Sequence, residues 1–281
     1  MIYNASLILE GGGMRGVYTA GVLDCFMDEN IYFLNVYGVS AGACHACSYL
    51  SKQNGRALRT VIDYLDKEYI GFFNLIKTGD FFNVKTFYDD IPNKFLPFDY
   101  QTFNESKQNL YVTISNCLTG KAEYKKITDI KNELIYIQAS SSLPLLAKTV
   151  YLNKIPYLDG GITDSIPIAQ AKADGNKINI VVLTQYHDYQ KKPNRLAPLI
   201  KGRYPKYKEL NIKIKDRHLR YNETLKEIND GVADNSIIVI QPQKPVTISR
   251  LEKDKNKLIA LYHDGYNDAK AMVNKIKERL T

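Results

Sequence analysis

Residues Leu7 to Gly16 read LILEGGGMRG, an apolar run that ends on an acid and breaks into glycine. A strand must deliver this loop and a helix must receive it, because the segment that follows, Val17–Asp28, carries helix-forming and apolar residues. Gly11, Gly13 and Gly16 satisfy G-x-G-x-x-G, which in a strand–turn–helix setting cradles a phosphate. The same bare backbone suits an oxyanion hole, whose N–H groups point at charge developing on a carbonyl. The loop alone leaves both readings open.

A second glycine motif lies one strand further on. Phe33–Val39 runs into Gly38-Val39-Ser40-Ala41-Gly42, a G-x-S-x-G between an expected strand and an expected helix, which is the setting of a nucleophile elbow. Ser40 would project from the sheet edge, and side chains at positions 38 and 42 would collide with the neighbouring strand and helix. The dinucleotide reading of the first loop weakens here. It expects an acid at the end of the second strand, and the sequence offers Val39 and Ser40.

A serine nucleophile needs a base. The histidines are His45, His187, His218 and His263, none of them at a strand-end turn. Asp159, in Tyr157-Leu158-Asp159-Gly160-Gly161, does follow a strand-like run, with two glycines permitting close approach of another backbone. On this motif alone it reads equally as a turn or capping acid.

Length and composition set the outer limits. At 281 residues, 44% hydrophobic and 24% charged, the chain is in the ordinary globular range for one α/β domain or a domain with an appendage. No apolar run reaches the length of a membrane span, and the N-terminus enters the strand-like SLILE without a basic-then-apolar leader, so a cytoplasmic protein is expected. Cys25, Cys44, Cys47 and Cys117 are too sparse for a disulfide framework. The Cys44-x-x-Cys47 pair lacks the second ligand pair that zinc requires, so no metal is expected. Net charge is +8, and all of it falls between Tyr186 and Arg220, where eleven Lys or Arg face three acids. That stretch reads as a solvated insertion, or as a surface available to an anionic membrane. No nucleic-acid partner is expected.

Strand-like runs at Ser6–Glu10, Phe33–Val39, Leu110–Ser115, Ile178–Thr184 and Ile237–Gln241 alternate with helical segments, which favours a mostly parallel sheet. Hairpins are expected at 112–126, around Leu118-Thr119-Gly120, and at 149–158, around Asn153-Lys154. Helices are expected at Val17–Asp28, Ala41–Lys52, Ala57–Lys67, Asp129–Ala139, Ile168–Ala173 and Leu219–Asp230. The last expected helix, Leu251–Leu280, carries a stripe of Leu251, Leu258, Tyr262, Ala269, Val273, Ile276 and Leu280 and reads as core-facing.

Taken in order, Gly11–Gly16, Gly38–Gly42, Ala139–Pro144 and Asp159-Gly160-Gly161 with Ile166-Pro167 resemble the patatin-like phospholipase family. The resemblance implies a three-layer α/β/α sandwich and a Ser–Asp dyad working without cofactor or metal. It makes Ser40 the nucleophile and Asp159 the base, gives the oxyanion hole to Gly11, Gly12 and Gly13, and lets Arg15 fix the loop. The implied substrate is an acyl ester or phospholipid, hydrolysed through an acyl-enzyme. Ser142 and Ser165 depart from the family's common alanine and asparagine. The alternatives are an acyltransferase or thioesterase using the same serine, or a nucleotide-binding regulatory module. Residues 1–185 are read as the catalytic core. Residues 186–281 are read as an extension packed on it, with the basic stretch available for peripheral contact with the inner membrane face.

Overall fold

The computed structural model describes residues 2–66 and 69–280. Among the described residues eight strands form one sheet: β1 (Ile2–Leu9), β2 (Tyr32–Val39), β3 (Asn109–Asn116), β4 (Ala122–Ile127), β5 (Val150–Leu152), β6 (Ile155–Asp159), β7 (Asn179–Val182) and β8 (Ile237–Ile240). Their order is β5-β6-β3-β2-β1-β7-β8, with β4 on β3. Strands β3, β2, β1, β7 and β8 run parallel, and the β3–β4, β3–β6 and β5–β6 pairs are antiparallel. Both expected hairpins are present.

Alternation along the strands divides the core into layers. Leu7 and Leu9 of β1 join Val36, Val112, Ile180 and Val182 in one cluster, whereas Ile8, Tyr37 and Val181 face the opposite cluster. The first face is covered by α1 (Val17–Asp28), α2 (Ala41–Leu50), α6 (Ile130–Ser140) and α11 (Lys255–Leu280), and the second by α7 (Ile168–Ala173) and α10 (Arg217–Ala233). A third cluster under α8 (Ala197–Arg203) and α9 (Lys208–Lys215) holds Cys117, Leu158, Ile200 and Leu210. The three-layer α/β/α expectation describes this arrangement.

Three differences in element boundaries have local causes. The expected helix at 57–67 spans Arg56–Ile62 (α3), and its expected end at Lys67 lies outside the described residues. The C-terminal helix starts at Lys255 instead of Leu251, because the Asp254 carboxylate accepts from the Asn256 and Lys257 N–H groups and sets the first turn there. Between α3 and β3 no helix is expected from the sequence. The chain there forms α4 (Phe72–Thr78), a π-helical segment at Thr86–Phe95 containing Pro92, and α5 (Tyr100–Asn104). Short or proline-bearing turns like these carry no 3.6-residue apolar period.

Helix α11 lies against α1 at backbone contact. A Cβ on Gly265 would fall 2.1 Å from the Tyr18 carbonyl oxygen. Tyrosine hydroxyls then cross the seam in both directions, Tyr18 donating to Asp268 at 2.8 Å and Tyr262 to Asp24 at 2.7 Å. Gly265→Ala should therefore push the two helices apart and lower stability by about 1–3 kcal/mol or more. Thermal and urea unfolding followed by circular dichroism measures this, and an unchanged midpoint would show that the seam tolerates separation.

Candidate active site

Ser40 follows the last residue of β2, at the start of α2. It adopts φ +54°, ψ −122°, an unusual conformation for a residue with a side chain. The turn is this tight because α2 is in backbone contact with both β2 and β1: an ideal Cβ on Gly38 would lie 2.6 Å from Ala43 Cα, and one on Gly42 2.6 Å from the Leu9 carbonyl oxygen. Only glycine fits at either position. The Ser40 N–H donates to Ser140 Oγ at 2.8 Å, and Ser140 Oγ donates in turn to the Thr113 carbonyl at 2.7 Å. One buried hydroxyl thus clamps the elbow to β3.

Asp159 reaches the same place through the register of β3. Val39 pairs with Thr113, and Asp159 pairs with Ile114, the next residue along. Since β4 occupies one edge of β3 over residues 110–115, β6 takes up the other edge where β2 ends. The end of β6 is therefore set against the residue that follows β2. The Ser142 carbonyl pins Asp159 by accepting its N–H at 2.9 Å, so the Ala139–Pro144 segment serves both partners: Ser140 holds Ser40, and Ser142 holds Asp159.

Both side chains are buried. Asp159 Oδ1 accepts from the Gly161 N–H at 2.8 Å, while Oδ2 is enclosed and among the described residues has no partner at hydrogen-bond geometry. The Ser40 hydroxyl is close enough to favour the ionised carboxylate without completing that bond. Burial pushes the Asp159 carboxyl above the usual carboxylate range, opposed most strongly by Arg217, then by Ser40, Gly161 and Arg250. A buried acceptor left open beside a hydroxyl is poised to take a proton.

The glycine loop meets the elbow from β1. Ideal Cβ positions on Gly11 and Gly16 fall 3.1 Å from Ser40 Cβ and 2.6 Å from Ala41 Cβ, respectively. Gly13 takes φ +58°. Among the described residues the N–H groups of Gly11, Gly12 and Gly13 find no acceptor, whereas that of Met14 donates to the Arg250 carbonyl at 3.1 Å. Arg15 Nε donates to the Gly12 carbonyl at 3.4 Å, bracing the loop from within.

From Ser40 an apolar cavity of about 200 Å³ extends into the protein, walled by Val61, Phe82, Phe87, Tyr88, Ile91 and Phe98 among others. The aromatic segment between Tyr64 and Tyr100 thus lines it. His45 is in the same wall, and burial pulls its imidazole down to about 4, so it is neutral at physiological pH. His187, His218 and His263 lie outside the cavity. Cys44 and Cys47 also face the cavity as free thiols raised by burial, and among the described residues no cluster of metal-ligating side chains occurs.

The Ala139–Pro144 motif contains Ser140 without assigning it a role, and no motif pointed to Arg217, whose Nε and Nη2 donate to Ser165 Oγ at 3.2 and 3.0 Å and whose charge acts on Asp159. Ser165, one of the two departures noted above, is the arginine's anchor. An ordinary serine and a lone arginine carry no spacing signal, and only the fold brings them to the site.

Residues 7–172 match the model of the patatin-like phospholipases, well over half of the chain. The chain belongs to the patatin-like phospholipase family. Residues 204–281 match a second model, described as a domain of unknown function (DUF6363). An Escherichia coli K12 protein, YjjU, described as uncharacterized, is 31% identical over 188 residues, which is 64% of this chain and 51% of YjjU. The rat patatin-like phospholipase domain-containing protein 2 is 27% identical over 59% of this chain and 36% of its own length. A mouse protein named 1-acylglycerol-3-phosphate O-acyltransferase Pnpla3 is 25% identical over 59% of this chain and 41% of its own. The chain thus spans about half or less of the relatives it matches. The crystal structure of VipD from Legionella pneumophila shares the fold, with a TM-score of 0.54 at 13% identity over 97% of this chain and 67% of VipD. Among the described residues no helix is long and apolar enough to cross a membrane.

Two outcomes are expected of this patatin-like site. Ser140→Ala leaves a buried N–H and a buried carbonyl unpaired and should cost about 1–3 kcal/mol of stability, read by urea denaturation. Arg217→Gln removes a charge that favours ionised Asp159, so the acidic limb of any Asp159-dependent pH–rate profile should move to higher pH, while Arg217→Lys should largely restore it. An acidic limb that does not move in the glutamine variant would remove Arg217 from the electrostatics of the site.

Proposed function

We propose that this chain is a serine acyl hydrolase acting on lipid esters through a Ser40–Asp159 dyad. The family supports lipid acyl hydrolysis as the class of activity. The observation that carries the finer reading is the enclosed, unpartnered Asp159 Oδ2 beside the strained Ser40 elbow. As Ser40 Oγ attacks the ester carbonyl, its proton passes to Asp159, and the new oxyanion faces the amides of Gly11, Gly12 and Gly13. Collapse breaks the ester bond, and the alcohol leaves with the proton from Asp159. Water then gives a proton to Asp159 as it attacks the acyl-enzyme, and return of that proton to Ser40 Oγ frees the acid. Burial is what makes a carboxylate basic enough for this exchange, and each oxyanion donor is worth roughly 3 kcal/mol in comparable sites. The acyl chain occupies the apolar cavity.

Surface features support peripheral contact with an anionic membrane. Leu196 and Leu199 are 55% and 61% exposed on or beside α8, with exposed Lys192, Arg195, Lys201 and Arg203 around them. Four free cysteines suit a reducing, cytoplasmic setting. Acyl transfer by the same serine is a second reading, favoured by the mouse relative's name. Added glycerol would then divert product from free acid to acylglycerol.

Ser40→Ala and Asp159→Asn should each reduce kcat on a short p-nitrophenyl ester by at least about 10³-fold without changing the circular dichroism spectrum. Activity near the wild-type level in either well-folded variant would rule the dyad out.

A further inference from the structure

Beside the dyad, outside the apolar cavity, four basic residues lie near enough to act on one another's charge. Arg15 comes from the glycine loop, and Lys191, Arg217 and Arg250 come from the part of the chain beyond the patatin-like match. Arg217 touches the Asp159 turn: an ideal Cβ on Gly161 would be 2.9 Å from Arg217 Nη2 and 3.0 Å from Asp159 Oδ1. Arg250 sits over the glycine loop, its carbonyl oxygen 2.7 Å from an ideal Cβ on Gly13. Lys191 Nζ lies 3.8 Å above the Tyr221 ring centre.

These groups are close enough to repel one another. Burial lowers the Arg217 guanidinium to about 10, with Arg250 adding to it, and lowers the Lys191 ammonium to about 6, with Arg217, Arg250 and Arg15 adding to it. Among the described residues none of the four has a carboxylate within ion-pair distance. The acid in their midst, Glu10, is already engaged. Its Oε2 accepts from the Thr184 N–H and hydroxyl at 2.6 and 2.9 Å, and its Oε1 accepts from the Tyr221 hydroxyl at 2.7 Å. Glu10 and Asp159 offset part of this positive charge, and a bound anion offsets the rest and lets Lys191, otherwise lowered to about 6, hold its proton.

We propose that Lys191, Arg217 and Arg250, joined by Arg15, form an anion site that holds a phosphate on the alcohol side of the scissile ester. This rests on Ser40 being the reacting group. The serine lines the apolar cavity and borders the Asp159 turn, so an ester carbonyl at Ser40 sends its acyl chain into the cavity and its alcohol portion toward the cations. The segment beyond the patatin-like match thereby selects the head group: acyl esters of glycerol phosphate are preferred over uncharged acylglycerols.

The test compares 1-hexanoyl-glycerol 3-phosphate with 1-hexanoylglycerol, both below their aggregation limits, using the whole 281-residue chain. The phosphate ester should be favoured by about tenfold or more in kcat/KM, and Lys191→Gln and Arg250→Gln should each reduce that ratio by about threefold or more, chiefly through KM. A wild-type ratio of one or less, or a ratio that neither substitution moves, overturns the proposal. Calorimetric titration of the Ser40→Ala protein separates this from the hydrolase reading. Binding of 1-hexanoyl-glycerol 3-phosphate that weakens on adding Lys191→Gln supports the site even if no ester is hydrolysed. Equal affinity for inorganic phosphate, or no binding of either, overturns the head-group assignment.

Discussion

Thr113 and Ile114 are neighbours on β3, and the geometry of the candidate active site follows from what pairs with each. Val39, the last residue of β2, lies opposite Thr113, and Asp159, the last of β6, lies opposite Ile114. Two strands approaching from opposite directions therefore end against each other on one edge. A register slip of one residue would turn every side chain of β6 to the other face. The antiparallel β5–β6 hairpin and the Ser142 carbonyl on the Asp159 N–H guard against that slip.

Around this junction the protein places two different media. On one side the cavity is apolar and walled by aromatics, and on the other four basic groups surround an acid that is already hydrogen-bonded. The Asp159 carboxyl feels both. Exclusion of water raises its proton affinity, and the Arg217 and Arg250 charges keep that rise in check. In the proposed dyad this balance suits a carboxylate to work more often given to histidine, while buried His45 is held neutral in the cavity wall.

The motifs that were legible in the sequence are those fixed by local sterics. Gly38 and Gly42 announce the elbow because no other residue fits there, and the glycine loop and the Asp159 turn carry the same kind of constraint. The strands of the parallel sheet were readable from their apolar runs, and the expected spans Val17–Asp28 and Ile168–Ala173 coincide with α1 and α7. What stayed hidden depends on contacts between distant segments. Ser140 looks like any helix-terminal serine until Ser40 N–H and the Thr113 carbonyl reach it. Arg217 and Lys191 belong to a stretch that reads as a solvated basic insertion, yet both turn inward. The segment between Phe72 and Phe95 breaks into short and π-helical turns that leave no regular pattern.

The central claim, that Ser40 is made nucleophilic by the carboxylate the sheet brings to it, is tested most directly by covalent labelling with a fluorophosphonate, followed by peptide mass spectrometry. The account predicts one label per chain, on Ser40, with the labelling rate reduced about 100-fold or more in folded Asp159→Asn. Labelling at another residue, or at Ser40 with a rate indifferent to Asp159, would contradict it.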